Sequence, residues 1–585
     1  MPKKWIFPPP APNLTAYEAL VPWVAQSLAR AGLLLPPEPR PLAQLIGQML
    51  ANRGIPPENA QAYFDCTDTG ASPFELKGMG ETVTRLRRAL EVGEPIAVYG
   101  DYDVDGVTAT ALLVTTLRAL GGNASPYIPH RVDDGYGLNN DSLSLLKQQG
   151  MQVVVSVDCG VRAIDEAQHA RAIGLDLIVT DHHAVPENLP EATIINPRQP
   201  GCPYPFKELA GVGITYKVAQ ALLMTEPDAP FSADSLLDLV ALGTVADIVP
   251  LRGENRSLVR AGLKILNVPH RVGVKSLASK AGISLGKINS SSIGFALGPR
   301  LNAAGRMEHA AIAYDLLTSS DQTHADTLAA KLDDVNRERQ DKTRECVSHA
   351  REWILSRQKD TPVIVAADPQ YPQGVVGLIA SRLAEEFYRP ALVIEQGEKL
   401  SKGSARSIPE FNIIEALDEI RDVFVKHGGH KAAAGFTLRT ERLPELRERL
   451  TQVARARFDE QELIPTLRAD AEVSFNELDR PLLYLLEQME PFGAENPAPT
   501  FVARNVAVRG HRAMGKEGDH LRLTLLQNNV IREGIAFRMG KQWTNKLPSH
   551  IDIAFAFEWN EYNGLRAMQL NIKDIKPSQP AGVSR

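Results

Sequence analysis

Apolar residues along this chain recur with three different rhythms, and each rhythm occupies its own stretch. Between about Pro95 and residue 320, short continuous apolar runs alternate with longer segments of helical character. Ile96-Ala97-Val98-Tyr99 is the first run, and Val153 to Val157, Leu175 to Val179 and Ala192 to Ile195 follow. Runs this short suit parallel strands buried on both faces and joined by helices. Thr108 to Leu120, stopped by Gly121-Gly122, reads as one such helix. An α/β domain built on a parallel sheet is expected over residues 76–320.

From Asp321 to Asp360 the chain has no Gly or Pro and is dense in charge. A connecting helix is predicted over 321–360, roughly 60 Å long if continuous. Residues 361–461 mix short strands (Val363 to Ala366, Ala391 to Ile394) with helices and read as a second, smaller α/β domain. Over 462–577 the pattern changes to period two, as in His520-Leu-Arg-Leu-Thr-Leu and Ile551-Asp-Ile-Ala-Phe. That alternation predicts an OB-like β-barrel. Residues 1–75 read as a helical extension in which PPPAP and PPEPRP bracket Tyr17 to Leu34, and 578–585 as a tail.

With 585 residues the chain is too long for one core, in keeping with this division. Its four cysteines (Cys66, Cys159, Cys202, Cys346) are far apart and form no CxxC pair. A disulfide framework and a thiolate zinc site are therefore not expected, and a reducing compartment is. The N-terminus carries no apolar leader, and no apolar run is long enough to cross a bilayer. A cytoplasmic protein with no membrane association is the expectation.

Net charge is −6, which argues against a polyanionic partner until its distribution is considered. Phe501 to Lys576 holds twelve Lys/Arg against seven Asp/Glu, so the barrel region is basic. Arg504, Arg509, Arg512, Lys516, Arg522, Arg538 and Lys541, with Phe537, Trp543 and Trp559, are candidates for a surface that stacks and neutralises a single strand. The plainer reading puts those aromatics in the barrel core and leaves the basic residues solvated.

The sharpest local feature is Val98-Tyr-Gly-Asp-Tyr-Asp-Val-Asp-Gly106. Asp101, Asp103 and Asp105 follow directly on an apolar run. At the carboxyl end of a parallel strand they open into the crevice where such sheets bind ligands. Three carboxylates this close repel one another, and a cation relieves the repulsion. A turn with a helix N-cap also uses Asp, but needs only one. Asp158 ends the next run in VDCG, Asp181-His182-His183 ends another, and Asp247 ends the apolar stretch from Leu239. Each has a structural reading alone. Together they form a carboxylate–imidazole set at what read as neighbouring strand ends. Such a set suits Mn²⁺ or Mg²⁺, and its size favours two divalent cations placed for phosphoryl chemistry.

GDYDVDG, VDCG, TDHH and GTVADIVPL resemble the motifs of the DHH phosphoesterase superfamily. GSARS (403–407) and GGHKAAAGF (428–436) are similar to its DHHA1 substrate-binding domain. GPRLNAAGRM (298–307) and EPFGAENPAPTF (490–501) narrow the resemblance to its bacterial single-strand-specific 5′→3′ exonucleases. The resemblance spans about residues 75–577. It implies Asp103, Asp105, Asp158, His182 and Asp247 as metal ligands, with Asp158 bridging two ions. Superfamily members often carry a histidine where this chain has Tyr99, so Asp101 is a candidate to supply the missing ligand. His183 is implied at the scissile phosphate or in proton transfer, and Asp181 as the residue that orients a neighbour.

The same resemblance puts Ser404, Arg406, Gly429 and His430 on the substrate phosphates, with Gly428 allowing close backbone approach. Arg300 and Arg306 are further phosphate candidates, each with the rival reading of a surface pair with an acid. The implied activity is stepwise release of mononucleotides from single-stranded DNA in recombination and repair. Single-stranded-DNA-binding protein and a DNA helicase are the implied partners of a monomeric enzyme. Two alternatives stand beside it: a phosphodiesterase for short oligonucleotides or cyclic dinucleotides, and a non-catalytic replication scaffold.

Overall fold

The computed structural model describes residues 3–11, 13–66, 70–131, 134–357, 361–458, 463–515, 517–562 and 565–578. Lys516, residues 358–360 of the connecting segment and all but Ser578 of the tail lie outside the described residues. The chain forms two compact units. One comprises residues 71–249 and 261–464; the other comprises 1–70, 250–260 and 465–585.

The first unit is built on five parallel strands: β1 (Ile96–Gly100), β2 (Ala124–Tyr127), β3 (Val153–Val157), β4 (Asp176–Thr180) and β5 (Thr193–Ile195). Their order is β2-β1-β3-β4-β5. β1 and β3 are buried along their whole length, which is why they read as unbroken apolar runs rather than alternating ones. The chain leaves β1 toward one edge and returns past it to β3. That reversal opens a crevice at the carboxyl ends of these two strands.

Helices α1 (Val104–Ala119), α2 (Gly211–Met224) and α3 (Leu237–Ala246) pack together beneath that crevice. All three are apolar on nearly every face, as helices enclosed by protein must be. Here the structure corrects the sequence reading. Leu239 to Ala246 belongs to a helix, so Asp247 caps a helix C-terminus and does not end a strand. A continuous apolar run in a buried helix looks like a buried strand, and periodicity cannot separate them.

Helix α4 (Gly298–Met307) leads to α5 (Gln322–Arg357), a single helix of 36 residues, or ~54 Å. It carries the chain to a five-stranded mixed sheet. This holds β6 (Ile364–Asp368), β7 (Ala391–Glu395), β8 (Leu400–Arg406), β9 (Phe424–His430) and β10 (Ala433–Arg439), ordered β9-β10-β8-β7-β6. Helix α6 (Val376–Phe387) lies against β7 and β8.

The second unit contains a closed barrel of β11 (Phe501–Met514), β12 (His520–Gln527), β13 (Val530–Ala536), β14 (His550–Tyr562) and β15 (Leu565–Pro577). β14 pairs back to β11, which removes the open edges a free sheet would expose. The period-two rhythm is visible in β12, where Leu521, Leu523 and Leu525 are buried and Arg522 is exposed.

One feature of this unit was not legible in the sequence. Tyr17, Leu20, Val24, Leu28, Ile46 and Leu50 of the N-terminal helices share a single hydrophobic core with Phe475, Leu482, Phe501 and Leu523. Arg256 ties the same body together. It stacks 3.8 Å from the Tyr63 ring centroid and donates to the carbonyls of Gln488 and Glu490. The N-terminal segment is therefore part of the barrel's support.

Candidate metal centre and phosphate clamp

The register of the sheet brings the acids together. Gly100 pairs with Val157, so Asp101 and Asp158 emerge side by side; Val157 pairs with Thr180, which sets Asp181 next to Asp158. Asp103 is the N-cap of α1, accepting from the amides of Asp105 (2.9 Å) and Gly106 (3.2 Å). Asp105 lies in the first turn of α1. Its carboxylate accepts the Gly211 and Val212 amides at 2.7 and 2.8 Å, at the start of α2. A helix N-terminus stabilises negative charge, so α2 holds Asp105 in place.

Two glycines make this density possible. A Cβ on Gly211 would meet Asp158 Oδ1 at 2.6 Å, and one on Gly106 would meet the Asp101 backbone at 2.6 Å. Asp158 itself has a left-handed backbone (φ 63°), uncommon for a residue with a side chain though one that Asp adopts more readily than most.

His182 Nε2 lies 3.2 Å from Asp158 Oδ1, 3.5 Å from Asp247 Oδ2 and 4.0 Å from Asp105 Oδ2. Ligand atoms of Asp105, His182 and Asp247 lie within 4.8 Å of one another. So do those of Asp101, Asp103 and Asp158, and those of Asp158, His182 and His183. Asp158 belongs to two of these three groups.

The donor set fits divalent cations by its unmet bonding. Asp101 Oδ1, Asp158 Oδ1 and His182 Nε2 are buried, and none makes a hydrogen bond. A buried polar atom without a partner is costly, and three converging on one space mark a place for a ligand. The protonation states agree. Burial, then repulsion from Asp103, pushes the Asp105 carboxyl up to about 7, and burial with Asp105 pushes Asp247 up to about 9. Asp101 and Asp158 are raised well above the usual carboxylate range, chiefly by burial. Burial, helped by His183, lowers His182 to about 3, so its imidazole is neutral and can donate a lone pair.

Asp181 is held by three contacts. It accepts the amides of Val161 (2.9 Å) and His183 (3.1 Å), and lies 2.7 Å from His183 Nδ1. Burial works against its charge, yet the His183 hydrogen bond holds Asp181 below the ordinary carboxylate range. The same bond, also against burial, raises His183. The contact fixes the His183 ring through Nδ1. At the position where superfamily members often carry a histidine, the Tyr99 hydroxyl donates to the Gly137 carbonyl at 3.0 Å.

In the second sheet, Arg406 pairs with Ala433 on β10, which pairs with His430 on β9; Ser404 and Gly428 flank Gly435 in the same way. Cross-strand partners share a face, so Arg406, Ser404 and His430 stand on one surface floored by glycine. Arg406 Nη1 donates to Ser404 Oγ at 2.8 Å, and both lie over Gly377 at the N-terminus of α6. Gly429 (φ 156°) could not carry a side chain, because its Cβ would meet the Ala433 carbonyl at 2.3 Å.

The two arginines of the GPRLNAAGRM segment part ways. Arg306 is pulled down to about 9 by burial and by the neighbouring guanidinium of Arg131, with Arg406 also contributing. Cations gathered this way call for an anion. Arg300, expected on the substrate, is committed elsewhere. Its Nε and Nη2 each lie 2.9 Å from Asp333 on α5, and Nη1 donates to the Ala296 carbonyl. Sequence reasoning missed Arg131, whose only signal was a lone basic residue before DDGYG.

On the barrel the basic surface is smaller than the sequence suggested. Arg504 pairs with Glu472 and Asp552, Arg522 with Glu533, and Lys541 with Glu517 and Asp519. Trp543 and Trp559 pack against the core, and Phe537 is exposed. Arg509, Arg512 and Arg538 are exposed, with no carboxylate partner among the described residues.

Comparison with known proteins agrees with this architecture. The model of the DHH family N-terminal domain matches residues 95–244, that of the DHHA1 domain 360–456, and that of the RecJ OB domain 469–574. The fold and cluster thus define a DHH-type protein with a DHHA1 domain and a C-terminal OB domain. The single-stranded-DNA-specific exonuclease RecJ of Bacillus subtilis (strain 168) is 39% identical over 544 residues, covering 92% of this chain and 68% of that protein. Its Escherichia coli (strain K12) counterpart is 33% identical over 562 residues, covering 92% and 97%. The crystal structure of RecJ in complex with Mn²⁺ from Thermus thermophilus matches 99% of this chain and 80% of that one, with TM-score 0.82 and 28% identity. The chain belongs to the RecJ family.

Proposed function

We propose that this protein is a single-stranded-DNA-specific exonuclease that uses two divalent cations, Mn²⁺ or Mg²⁺, and releases mononucleotides in the 5′→3′ direction. The observation that carries the reading is the set of converging, unpartnered ligand atoms on Asp101, Asp158 and His182. In this reading Asp101, Asp103 and Asp158 would hold one cation, and Asp105, His182 and Asp247 would hold the other. Bound there, the cations would acidify water and offset charge on the phosphoryl oxygens in an in-line displacement.

The protein's own groups do the rest. Asp181 fixes His183 through Nδ1, which frees Nε2 to meet the scissile phosphate or hold a proton at the reacting oxygens. Arg406, Ser404 and His430 bind substrate phosphates from the second sheet, while Arg306 and Arg131 add positive charge. Arg300 keeps a structural role, anchoring α4 to α5. The polarity, and a role in recombination and repair, rest on the family resemblance. So do the partners, single-stranded-DNA-binding protein and a helicase, and the monomeric state. No described helix is long and apolar enough to cross a membrane. A cytoplasmic setting is proposed from the four free cysteines.

The deciding assay offers the protein, with Mn²⁺, a long single strand labelled at either end, the same strand in duplex, and dinucleotides. Mononucleotides should appear first from the 5′ end of the single strand, and the duplex should persist. Faster turnover of dinucleotides than of the long strand would instead support the short-substrate phosphodiesterase.

The barrel's share is testable by charge. Deleting it would strip the N-terminal helices of their core, so substitution is the better probe. Replacing Arg509, Arg512 and Arg538 with Ala should weaken binding of a long strand and lower its logarithmic salt dependence by about 2, from three lost phosphate contacts. Hydrolysis of a very short strand should change little. Equal loss on both lengths, read by fluorescence anisotropy and product release, would refute the holding role.

A further inference from the structure

Beside the metal-binding cluster one side chain is oriented against its solubility. Tyr136 sits in the turn Gly135-Tyr136-Gly137, and both glycines have left-handed backbones (φ 84° and 86°). The tyrosine hydroxyl points inward. It lies 3.3 Å from the His183 ring nitrogens and 3.5 Å from the Asp158 carbonyl. The side chain nevertheless remains 55% exposed. Tyrosine ordinarily does the reverse, burying its apolar body and leaving the polar tip wet. A tethered tip and an open ring make a rigid aromatic surface held ready in solvent.

Its position narrows what that surface is for. The ring centroid is 5.8 Å from that of His183, and the Tyr102 ring stands edge-on at 6.5 Å. Tyr102 carries the Arg131 guanidinium 4.6 Å from its centroid. Cation, aromatic and imidazole thus follow one another along one side of the cluster. Tyr136 therefore borders the place where the proposed function puts the scissile phosphate, at His183.

We propose that Tyr136 is a stacking platform for the base of the nucleotide being released, its ring face presented by the turn Gly135-Tyr136-Gly137. This rests on the single-strand exonuclease reading above. Stacking accepts every base, because each has a π-face, as a nuclease without sequence preference requires. It also favours an unpaired strand, since a base must leave its own helix to lie on a protein ring. Tyr136 thereby helps discriminate single strand from duplex.

The test uses the full chain with Mn²⁺ and single strands that carry either a normal or an abasic nucleotide at the cleaved end. For the wild type, kcat/KM should fall about tenfold on the abasic strand. Tyr136→Leu should lose about tenfold on the normal strand and respond less than about twofold to base removal. Tyr136→Phe, which keeps the ring, should keep the wild-type ratio of normal to abasic rates. A wild type indifferent to the base overturns the proposal, as does a Tyr136→Leu enzyme with the wild-type ratio. Loss of the ratio in Tyr136→Phe also overturns it, and assigns the effect to the hydroxyl on His183. Wild-type protein inert on every strand would instead defeat the exonuclease reading itself.

Discussion

Replacing Asp158 with alanine should lower kcat by more than about 10³-fold while leaving the fold intact. Asp158 sits between β1 and β4, belongs to two candidate ligand groups, and has a buried oxygen with no hydrogen bond. In the proposed site, removing it would take a ligand from the cations. Its carboxylate is also repelled by Asp105, Asp103, Asp247 and Asp101, so its loss relieves strain in the cation-free protein. The melting temperature in chelator should therefore hold steady or rise. Turnover on a single strand and thermal unfolding in EDTA check both halves. Unchanged turnover would remove Asp158 from the chemistry. If the alanine variant melts early, Asp158→Asn keeps the shape and gives the same answer.

The second large effect comes from the cations themselves. Well below about pH 4, Asp105 and Asp247 are protonated in the native and the unfolded chain alike. As pH rises, the unfolded chain ionises first, while native Asp105 and Asp247 keep their protons to about 7 and about 9. At these two groups the native state then binds more protons than the unfolded state, so their contribution to cation-free stability falls as pH climbs from about 4 toward 9. Bound cations reverse this by favouring the ionised carboxylates. The rise in melting temperature on adding Mn²⁺ should be several degrees larger at about pH 8.5 than at about pH 6. Chelation should abolish hydrolysis, and added Mn²⁺ should restore it. An equal rise at both pH values would mean that the raised carboxylates are not where the cations bind.

How much of this was legible in the sequence depended on how local each feature is. The β1 and β3 strands and their terminal acids, Asp101 and Asp158, were readable because burial on both faces leaves an unbroken apolar run ending in a charge. The connecting helix was readable for a different reason, the absence of any breaker over its length. Asp247 was found, but on the wrong element, since a buried helix lacks the polar stripe that would betray its period. The grip of α2 on Asp105 was invisible: backbone amides of Gly211 and Val212 do the work, and sequence does not advertise an amide's direction.

Other features depended on distant partners. Arg300 and Arg306 are six residues apart in one motif, yet Arg300 pairs with Asp333 on α5, a partner that no local pattern indicates. The shared core of the N-terminal helices and the barrel joins segments more than 400 residues apart, beyond any pattern in a local window. Tyr136 escaped notice because its meaning lies in which end of the ring faces water, and that is a property of the folded chain alone.

Everything in the catalytic reading returns to whether this crowd of carboxylates is a two-cation site. The most direct measurement is anomalous scattering from a crystal of the full chain soaked in Mn²⁺. Two peaks about 3.5–4 Å apart, with Asp158 between them and His182 and Asp247 on one, are the predicted result. A single peak, or none within reach of Asp158, would contradict it.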